Sequence, residues 1–324
     1  MATTSFSKEN HLNEIYQNIT KKNIDLKDLL SIFNLTSNSH YVAKSHLLDS
    51  YYILNERPDM AFTYLWKSFN CLYRSIAIKD SINSGNLSIQ ITDGKSITCF
   101  IDKLVSIQND SIDGNTTIRS LFEEYIKILP IKNLKFLANY LLKGYATEKS
   151  NLPKFLIGSS YQSFKKNHNG IYLTLEQTYL LAYKSITNAQ IVNNSEVDLG
   201  ILDKKKSKSI PESLASKFET LLTDQSVNIS YNGNNHTLSY ANDSEYYSFV
   251  LKGILYAIRN NSFHGNKSSR LNSSFVNQAS YDNCIYNYFL LHFFVNIALI
   301  IEEGLNISKT AISIENYTNL KSML

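Results

Sequence analysis

Glycine and proline are scarce in this chain, with 11 and 4 copies among 324 residues. Both residues interrupt helices, so their scarcity, together with long stretches of periodic apolar residues, favours an all-α chain. Hydrophobic residues make up 43% of the sequence, with 22 Tyr and 16 Phe. That share excludes a disordered chain and is sufficient for one large core or two modest ones.

Cysteine is also rare. Cys71, Cys99 and Cys284 are far apart, odd in number and form no CxxC pair. Disulfide frameworks and zinc sites need paired or clustered ligands, so the spacing argues against both. The sequence also lacks HExxH, GxSxG and GxGxxG motifs. We therefore expect three reduced core residues in a cytoplasmic protein that uses no metal and no cofactor.

Positive charge and long apolar runs are limited as well. The net charge of +4 is too weak to indicate nucleic-acid binding by itself, so a basic site has to be local. The N-terminus shows no apolar signal segment, which argues against secretion. The longest apolar run, Tyr288–Ile301, contains His292 and Asn296 and is shorter than the roughly 18 to 20 residues of a membrane span. We expect a buried core helix, with His292 as a core histidine, and no membrane partner.

Helical periodicity covers most of the chain. The clearest helix begins at Pro58, where proline suits the first turn and Asp59 complements the helix dipole. Residues of about 80 to 95 are predicted to be a connection or a short hairpin. The other predicted helices are Ile24–Phe33, Val42–Leu54, Ser96–Gln108, Thr117–Leu129, Lys132–Tyr145, Leu152–Lys165, Thr174–Ile191 and Ser274–Glu303.

A small β-hairpin and a capped helix are predicted further along. Ser226–Tyr231 and His236–Tyr240 alternate around Asn232-Gly233, the dipeptide typical of a two-residue hairpin turn. Asn242, with Glu245 three residues later, forms a helix N-terminal cap pattern. Upstream of the hairpin, the lysine-rich residues 203–209 are predicted to be a solvated loop.

The capped helix leads into RNNSFHG at residues 259–265, the most informative run of the chain. RNA supplies its own nucleophile, the 2′-OH, so cleavage needs a base, an acid and a cation for the phosphorane charge. Histidine serves as acid or base near pH 7, and guanidinium binds phosphate through a bidentate fork. On a continued helix Arg259 and His264 lie about 140° apart, so their convergence requires the helix to end at about Gly265.

One histidine cannot easily act as acid and base at once. A symmetric dimer that joins two motifs supplies both, so a homodimer is expected. The alternative interpretation is structural: Arg259 pairs with a carboxylate, and His264 caps a carbonyl in a turn.

Two stretches resemble known motifs in the order expected for one family. Residues 258–265, IRNNSFHG, followed by a long predicted helix, resemble the R-x(4–6)-H signature of HEPN domains. Residues 58–73, PDMAFTYLWKSFNCLY, resemble the first core helix of many HEPN proteins. The two matched stretches contain 24 of the 324 residues.

The resemblance implies a HEPN-type helical bundle, usually dimeric, with an inserted helical region. It also implies a metal-independent endoribonuclease of toxin, anti-phage or other antiviral systems, with RNA (tRNA among the candidates) as substrate. An antitoxin or regulatory protein is a further expected partner. Arg259 and His264 match the catalytic positions, and Asn260 matches the polar position after the arginine. Asn70 aligns where some members carry an acidic residue, so its expected role is a supporting hydrogen bond; a buried capping amide is the alternative.

Other side chains are weaker candidates. Lys267 and Arg270, just after the motif, are expected to guide a phosphate backbone, or else to belong to a solvated loop. His168, beside Lys165 and Lys166, is expected to be exposed, with contact to an RNA phosphate as the alternative.

Four segments follow from this interpretation. They are 1–80 with the first HEPN core helix, 81–240 as a helical insertion or an accessory subdomain with the hairpin near 226–240, 241–304 with the motif, and the tail 305–324. The alternative function is a non-catalytic HEPN module that binds RNA, a nucleotide or a partner protein. A third hypothesis makes the middle segment a sensor or docking surface that regulates the nuclease.

Overall fold

The structure is a computed structural model, and it describes residues 17, 40–86, 90–193, 196–263, 277–304 and 309–323. Helices hold 72% and strands 9% of the described residues, so the all-α class is confirmed. The chain forms two compact units. The first unit comprises Met1–Tyr125 and Lys267–Leu324, and the second comprises Ile126–Asn266. These bounds run across the four predicted segments, and the HEPN type of the bundle stays a prediction.

The elements follow one another as helices, with two short hairpins in the second unit. Two π-helical segments, here called the first and second π segments, are Glu176–Leu180 and Phe249–Tyr256, and a 3-10 turn covers Lys154–Leu156. The strands are β1 (Gln190–Val192), β2 (Glu196–Asp198), β3 (Ser226–Tyr231) and β4 (Asn234–Ser239). The α-helices are α1 (Tyr41–Ile53), α2 (Pro58–Asn83), α3 (Asp93–Ile107), α4 (Ile118–Lys127), α5 (Ile131–Glu148), α6 (Ser159–Asn167), α7 (Asn169–Leu175), α8 (Leu181–Lys184), α9 (Lys206–Asp224), α10 (Asp243–Ser248), α11 (Ala257–Phe263), α12 (Gln278–Glu303), α13 (Lys309–Ile312) and α14 (Glu315–Met323).

The core of the first unit lies between α2 and its neighbours α1, α3 and α12. α2 begins at Pro58 as predicted, and its apolar residues recur at three- and four-residue spacing. The fully buried Phe69 meets Tyr73 and Phe100 edge to face, with ring centroids 5.0 and 5.1 Å apart. Such aromatic pairs add to the free energy gained by burying their area.

α12 is the predicted core helix. It is the one described helix long and apolar enough to cross a membrane, and 89% of that apolar stretch is buried. His292 is fully buried, as predicted, and its Nε2 lies 2.8 Å from the hydroxyl of Tyr51 and 3.0 Å from Nδ2 of Asn296. Burial lowers the pKa of His292 to about 3, so the ring is neutral at physiological pH.

In the second unit, the hairpin predicted around Asn232-Gly233 is confirmed. β3 and β4 pair antiparallel, with Tyr231 opposite Asn234. Asn232 and Gly233 have φ angles of 49° and 80°. Both central residues of a type I′ turn need positive φ, which asparagine and glycine tolerate best.

The core of the second unit is centred on Phe249, which is fully buried. The rings of Phe164, His168, Phe218 and Tyr240 surround it, with centroid distances between 5.5 and 5.8 Å. These rings come from α6, the α6–α7 junction, α9 and the residue after β4. Phe249 therefore packs against side chains from four separate parts of the chain.

Three predicted elements of this unit were wrong in part. The helix predicted over Thr174–Ile191 ends at Lys184 and gives way to β1, where β-branched Ile191 and Val192 suit a strand. The helix predicted over Leu152–Lys165 is a 3-10 turn followed by α6. The loop predicted over residues 203–209 becomes helical at Lys206, because Oδ1 of Asp203 accepts from two backbone N–H groups and caps α9.

The remaining predictions have mixed outcomes. The tail 305–324 carries α13 and α14, and Tyr125 donates to the Ile312 carbonyl at 3.1 Å. Cys71, Cys99 and Cys284 are free thiols, but only Cys284 is fully in the core. The predicted helix over residues 24–33 and part of the 80–95 connection lie outside the described residues.

Candidate active site

Arg259 is carried by a helical run from Asp243 to Phe263 that comprises α10, the second π segment and α11. The predicted cap is confirmed: Oδ1 of Asn242 accepts from the Glu245 N–H at 2.9 Å. A carboxylate oxygen of Glu245 in turn accepts from the Ala241 N–H at 2.7 Å. The reciprocal bonds satisfy N–H groups that a helix start leaves open, and so fix where this helix begins.

The second π segment lies directly before the motif. Its wider turns rotate the residues that follow relative to an unbroken α-helix, and π turns are frequent at functional sites. The hydroxyl of Tyr140 on α5 donates to the Gly253 carbonyl at 2.7 Å. This bond attaches the irregular segment to α5 and fixes the direction in which α11 presents its side chains.

The guanidinium of Arg259 is held by its neighbours on the helix. Its Nη1 donates to Oδ1 of Asn260 at 2.9 Å, and its Cζ lies 5.6 Å from the ring centroid of Tyr256. Cations are attracted to aromatic faces at such distances. The amide oxygen of Asn260 therefore holds the guanidinium in one orientation.

Asn260 itself is only 8% exposed. Its Oδ1 accepts the hydrogen bond from Arg259. The next residue, Asn261, donates its own Nδ2 to the Ala257 carbonyl at 2.8 Å. Both asparagines line a cavity of about 200 Å³.

We call this space the Asn260 cavity. Its walls are α5, the end of the 3-10 turn, the first turn of α6 and α11, and they contain one lysine and no carboxylate among the described residues. Gly144 allows α6 to approach, because a Cβ there would lie 2.3 Å from Cγ of Tyr161. The residues that line the cavity are Tyr140, Lys143, Gly144, Thr147, Leu156, Gly158, Ser159, Ser160, Tyr161, Asn260 and Asn261.

A hydrogen-bonded cluster stabilises the wall formed by α5 and α6. Tyr161 donates to Glu148 at 2.6 Å, and Nζ of Lys165 lies 2.8 Å from the same carboxylate. Tyr172 lies 2.9 Å from the Tyr161 hydroxyl. Burial, followed by the bond to Glu148, raises the pKa of Tyr161 above its usual value, so this hydroxyl stays a proton donor.

The structure brings together part of the predicted site. Arg259 and Asn260 are in contact within the second unit, whereas Asn70 is half-buried on α2 in the first unit. His264, Lys267 and Arg270 lie outside the described residues, so their roles stay predictions.

The prediction of an exposed His168 was wrong. The side chain is fully buried between the rings of Phe164 and Phe249, and its Nδ1 lies 3.6 Å from a carboxylate oxygen of Glu245. Burial lowers its pKa, against the opposite effect of Glu245. The neighbouring lysines indicated an exposed position. His168 is nevertheless buried, because it packs against Phe164, four residues earlier, and against the distant Phe249.

Lys143, Ser159 and Ser160 were not predicted from the sequence, and the fold brings them from distant positions to the cavity that Asn260 lines. One local signal exists: the small residues Gly158, Ser159 and Ser160 directly precede a helical pattern, as is common at helix N-termini. The described residues contain no cluster of three or more His, Cys, Asp or Glu side chains able to hold a metal ion.

Comparison with known proteins adds no relative. No family model, curated protein or solved structure matches this chain significantly. The resemblance to HEPN domains therefore rests on the two motifs alone.

Proposed function

We propose that the protein is a homodimeric, metal-independent endoribonuclease of HEPN type. The observation that carries the proposal is the hydrogen bond from Arg259, five residues before His264, to Asn260, which lines a cavity without a carboxylate among the described residues. A guanidinium oriented by an amide is suited to hold a phosphodiester, because the planar fork matches two phosphate oxygens.

The reaction follows from these groups. His264 of one protomer removes the proton from the ribose 2′-OH, and the oxygen attacks the adjacent phosphorus. Arg259 stabilises the negative charge of the phosphorane. The bond from phosphorus to the 5′-oxygen then breaks, and His264 of the second protomer protonates the leaving oxygen. The products are a 2′,3′-cyclic phosphate and a 5′-hydroxyl.

The cellular role belongs to the same proposal. Cleavage of RNA, with tRNA as a candidate substrate, would stop growth of an infected or stressed cell. We place the protein in the cytoplasm, in anti-phage defence or as a toxin, with an antitoxin or regulatory protein as partner. Wild-type expression should then inhibit growth, and His264→Ala should relieve the inhibition.

The decisive assay is cleavage of total RNA and tRNA in EDTA by the wild type, Arg259→Ala and His264→Ala. His236→Ala, on β4 of the same unit, is a matched control that should cleave like the wild type. Loss of cleavage in the two motif variants alone supports the nuclease and its site. Equal cleavage by all four proteins, or a requirement for Mg²⁺, contradicts the proposal. No cleavage by any of them, with an intact dimer, favours the binding module.

A further inference from the structure

The net charge of the chain is divided unevenly between the two units. Residues 126–266 contain 16 Lys and Arg against 10 Asp and Glu, so the second unit carries a charge of +6. Because the whole chain carries +4, the first unit carries −2. The excess of positive charge therefore lies in the unit that carries Arg259. Concentration of basic residues in one part of a protein is typical of nucleic-acid binding.

Four lysines among residues 204–208 form the densest basic cluster of the second unit. We call Lys204, Lys205, Lys206 and Lys208 the lysine patch, and all four side chains are exposed. Oδ1 of Asp203 accepts from the backbone N–H groups of Lys205 and Lys206 at 3.0 and 2.9 Å, and so fixes the start of α9. The patch therefore lies on an ordered turn, which keeps its charges close together.

The lysine patch is almost free of ion pairs to the fold. Among the described residues, only Lys206 of the patch lies within ion-pair distance of a carboxylate, that of Asp203 at 3.8 Å. Three exposed positive charges are therefore left uncompensated by any described carboxylate. Other lysines of the unit do pair with glutamates, at 3.0, 3.1 and 2.8 Å for Lys135, Lys149 and Lys165.

The patch and Arg259 are supported by the same core. α9 packs against α5, and Phe218 of α9 meets Phe249 of the second π segment with ring centroids 5.5 Å apart. Tyr140 of α5 in turn donates to the Gly253 carbonyl of that segment. Both basic groups thus belong to one packed unit, so one polyanion can engage both without a change in the fold.

The surroundings of the patch favour a phosphate backbone over a lipid surface. A helix that lies on a membrane inserts an apolar face into the lipid. The apolar side of α9 is not available, because Leu214, Phe218 and Leu221 are fully buried in the unit. Leu202, which is 71% exposed, is the single large exposed apolar residue next to the patch in sequence. Lysines, as compact point charges, bind backbone phosphates without reading the base sequence.

We infer that the lysine patch is a second RNA-contact surface, outside the Arg259 site, that binds backbone phosphates of the substrate. The inference rests on the proposed function, because it takes RNA as the substrate of this unit. The patch then adds affinity that depends on salt and not on base sequence, whereas the cleaved bond is set at Arg259.

The test measures binding with RNA that cannot be cleaved. Fluorescence anisotropy is recorded for the full-length protein and a labelled single-stranded 2′-O-methyl RNA, which lacks the 2′-OH nucleophile. The patch variant combines Lys204→Gln, Lys205→Gln and Lys208→Gln. The control variant removes the same charge from lysines of the same unit that are bonded to the fold, by Lys135→Gln, Lys149→Gln and Lys217→Gln.

The patch variant is expected to bind RNA more weakly and with less dependence on salt. Each lysine–phosphate contact contributes about 0.7 to the slope of log affinity against log salt concentration for a single strand. Loss of three lysines should therefore flatten that slope by about 2, and weaken binding about ten-fold or more at about 0.1 M salt. The melting temperature should match that of the wild type, because the substituted side chains are exposed. The control variant should bind like the wild type.

The outcomes separate this inference from the nuclease. Equal affinity and salt slope in the patch and control variants overturn the inference, even where Arg259 and His264 prove essential for cleavage. A wild type that binds no RNA overturns it too. If the patch variant alone loses binding while no RNA is ever cut, the inference stands and the proposed cleavage fails.

A parallel measurement with anionic vesicles containing phosphatidylserine tests the lipid alternative. Wild-type protein should bind RNA and not sediment with the vesicles. Sedimentation that both the patch variant and Leu202→Ala abolish, with RNA affinity unchanged in the two variants, overturns the inference in favour of a membrane surface.

Discussion

The two compact units differ in the regularity of their helices and in the partners of their buried histidines. In the first unit every described helix is α-helical throughout, and His292 contacts both Tyr51 and Asn296. In the second unit two helical runs contain π segments, and neither ring nitrogen of His168 makes a hydrogen bond to a described residue. The irregular backbone leads directly to Arg259. The proposed Arg259 site therefore lies in the unit with the irregular helices.

The largest effect on RNA cleavage is expected for replacement of Arg259 in the second unit, compared with Arg57 in the first. Arg259→Ala should reduce RNA cleavage by about 100-fold or more, the scale seen when a donor that stabilises developing charge is removed. Arg259→Lys should recover little, because lysine lacks the planar fork. Arg57→Ala, in the first unit and ion-paired with Asp59, should leave cleavage unchanged. Equal loss in Arg57→Ala and Arg259→Ala, measured as initial rates, would contradict the assignment of the site to the second unit.

Truncation of one core phenylalanine in each unit tests whether the two units unfold separately. Phe69→Ala and Phe249→Ala each remove a fully buried ring, and each should lower the free energy of unfolding by about 3–5 kcal/mol. Hydrogen exchange should show the loss of protection for Phe249→Ala mainly in residues 126–263, since its partners lie on α6, α9 and beside β4. Equal loss of protection in α2 would show that the two units unfold together.

The buried histidine of the first unit predicts a pH dependence. The pKa of His292, lowered by burial to about 3, lies below the usual value of about 6.5 in the unfolded chain. Below pH 6.5 only the unfolded state takes up the proton, so stability falls as the pH decreases towards 3. Urea unfolding between pH 7 and pH 5 should show a slope of up to about 1.4 kcal/mol per pH unit that His292→Gln reduces. Parallel curves for the two proteins would refute this account.

The smallest effects concern the two asparagine caps, one in each unit. Oδ1 of Asn242 and Oδ1 of Asn277 both accept a backbone N–H at 2.9 Å, from Glu245 and Ser280. Replacement of either asparagine by alanine should lower the free energy of unfolding by about 1 kcal/mol. Asn242→Ala should also reduce cleavage in the EDTA assay, because its helix carries Arg259, whereas Asn277→Ala should change stability only. Equal effects on activity would remove this distinction.

Local patterns were sufficient to predict part of the fold. The start of α2 at Pro58, the hairpin turn at Asn232-Gly233 and the cap at Asn242 each depend on residues within one turn. Such features need no knowledge of the rest of the chain, because the backbone geometry there is set by the residue types themselves.

Tertiary features could not be predicted in this way. The burial of His168 depends on Phe249, about 80 residues later, and the Asn260 cavity joins α5, α6 and α11. α9 was missed because its lysine-rich start resembles a loop, and only the side chain of Asp203 shows that a helix begins there. In the site, the arginine and its amide were predicted, whereas the residues that approach them through space were not.

The most direct test of the central claim is the chemistry of the RNA ends. A defined single-stranded RNA is incubated with the protein in EDTA, and both fragments are analysed by mass spectrometry. The account predicts a 2′,3′-cyclic phosphate on one fragment and a 5′-hydroxyl on the other, with neither formed by Arg259→Ala. A 3′-hydroxyl with a 5′-phosphate would contradict it, because those ends require water rather than the ribose 2′-OH as the nucleophile.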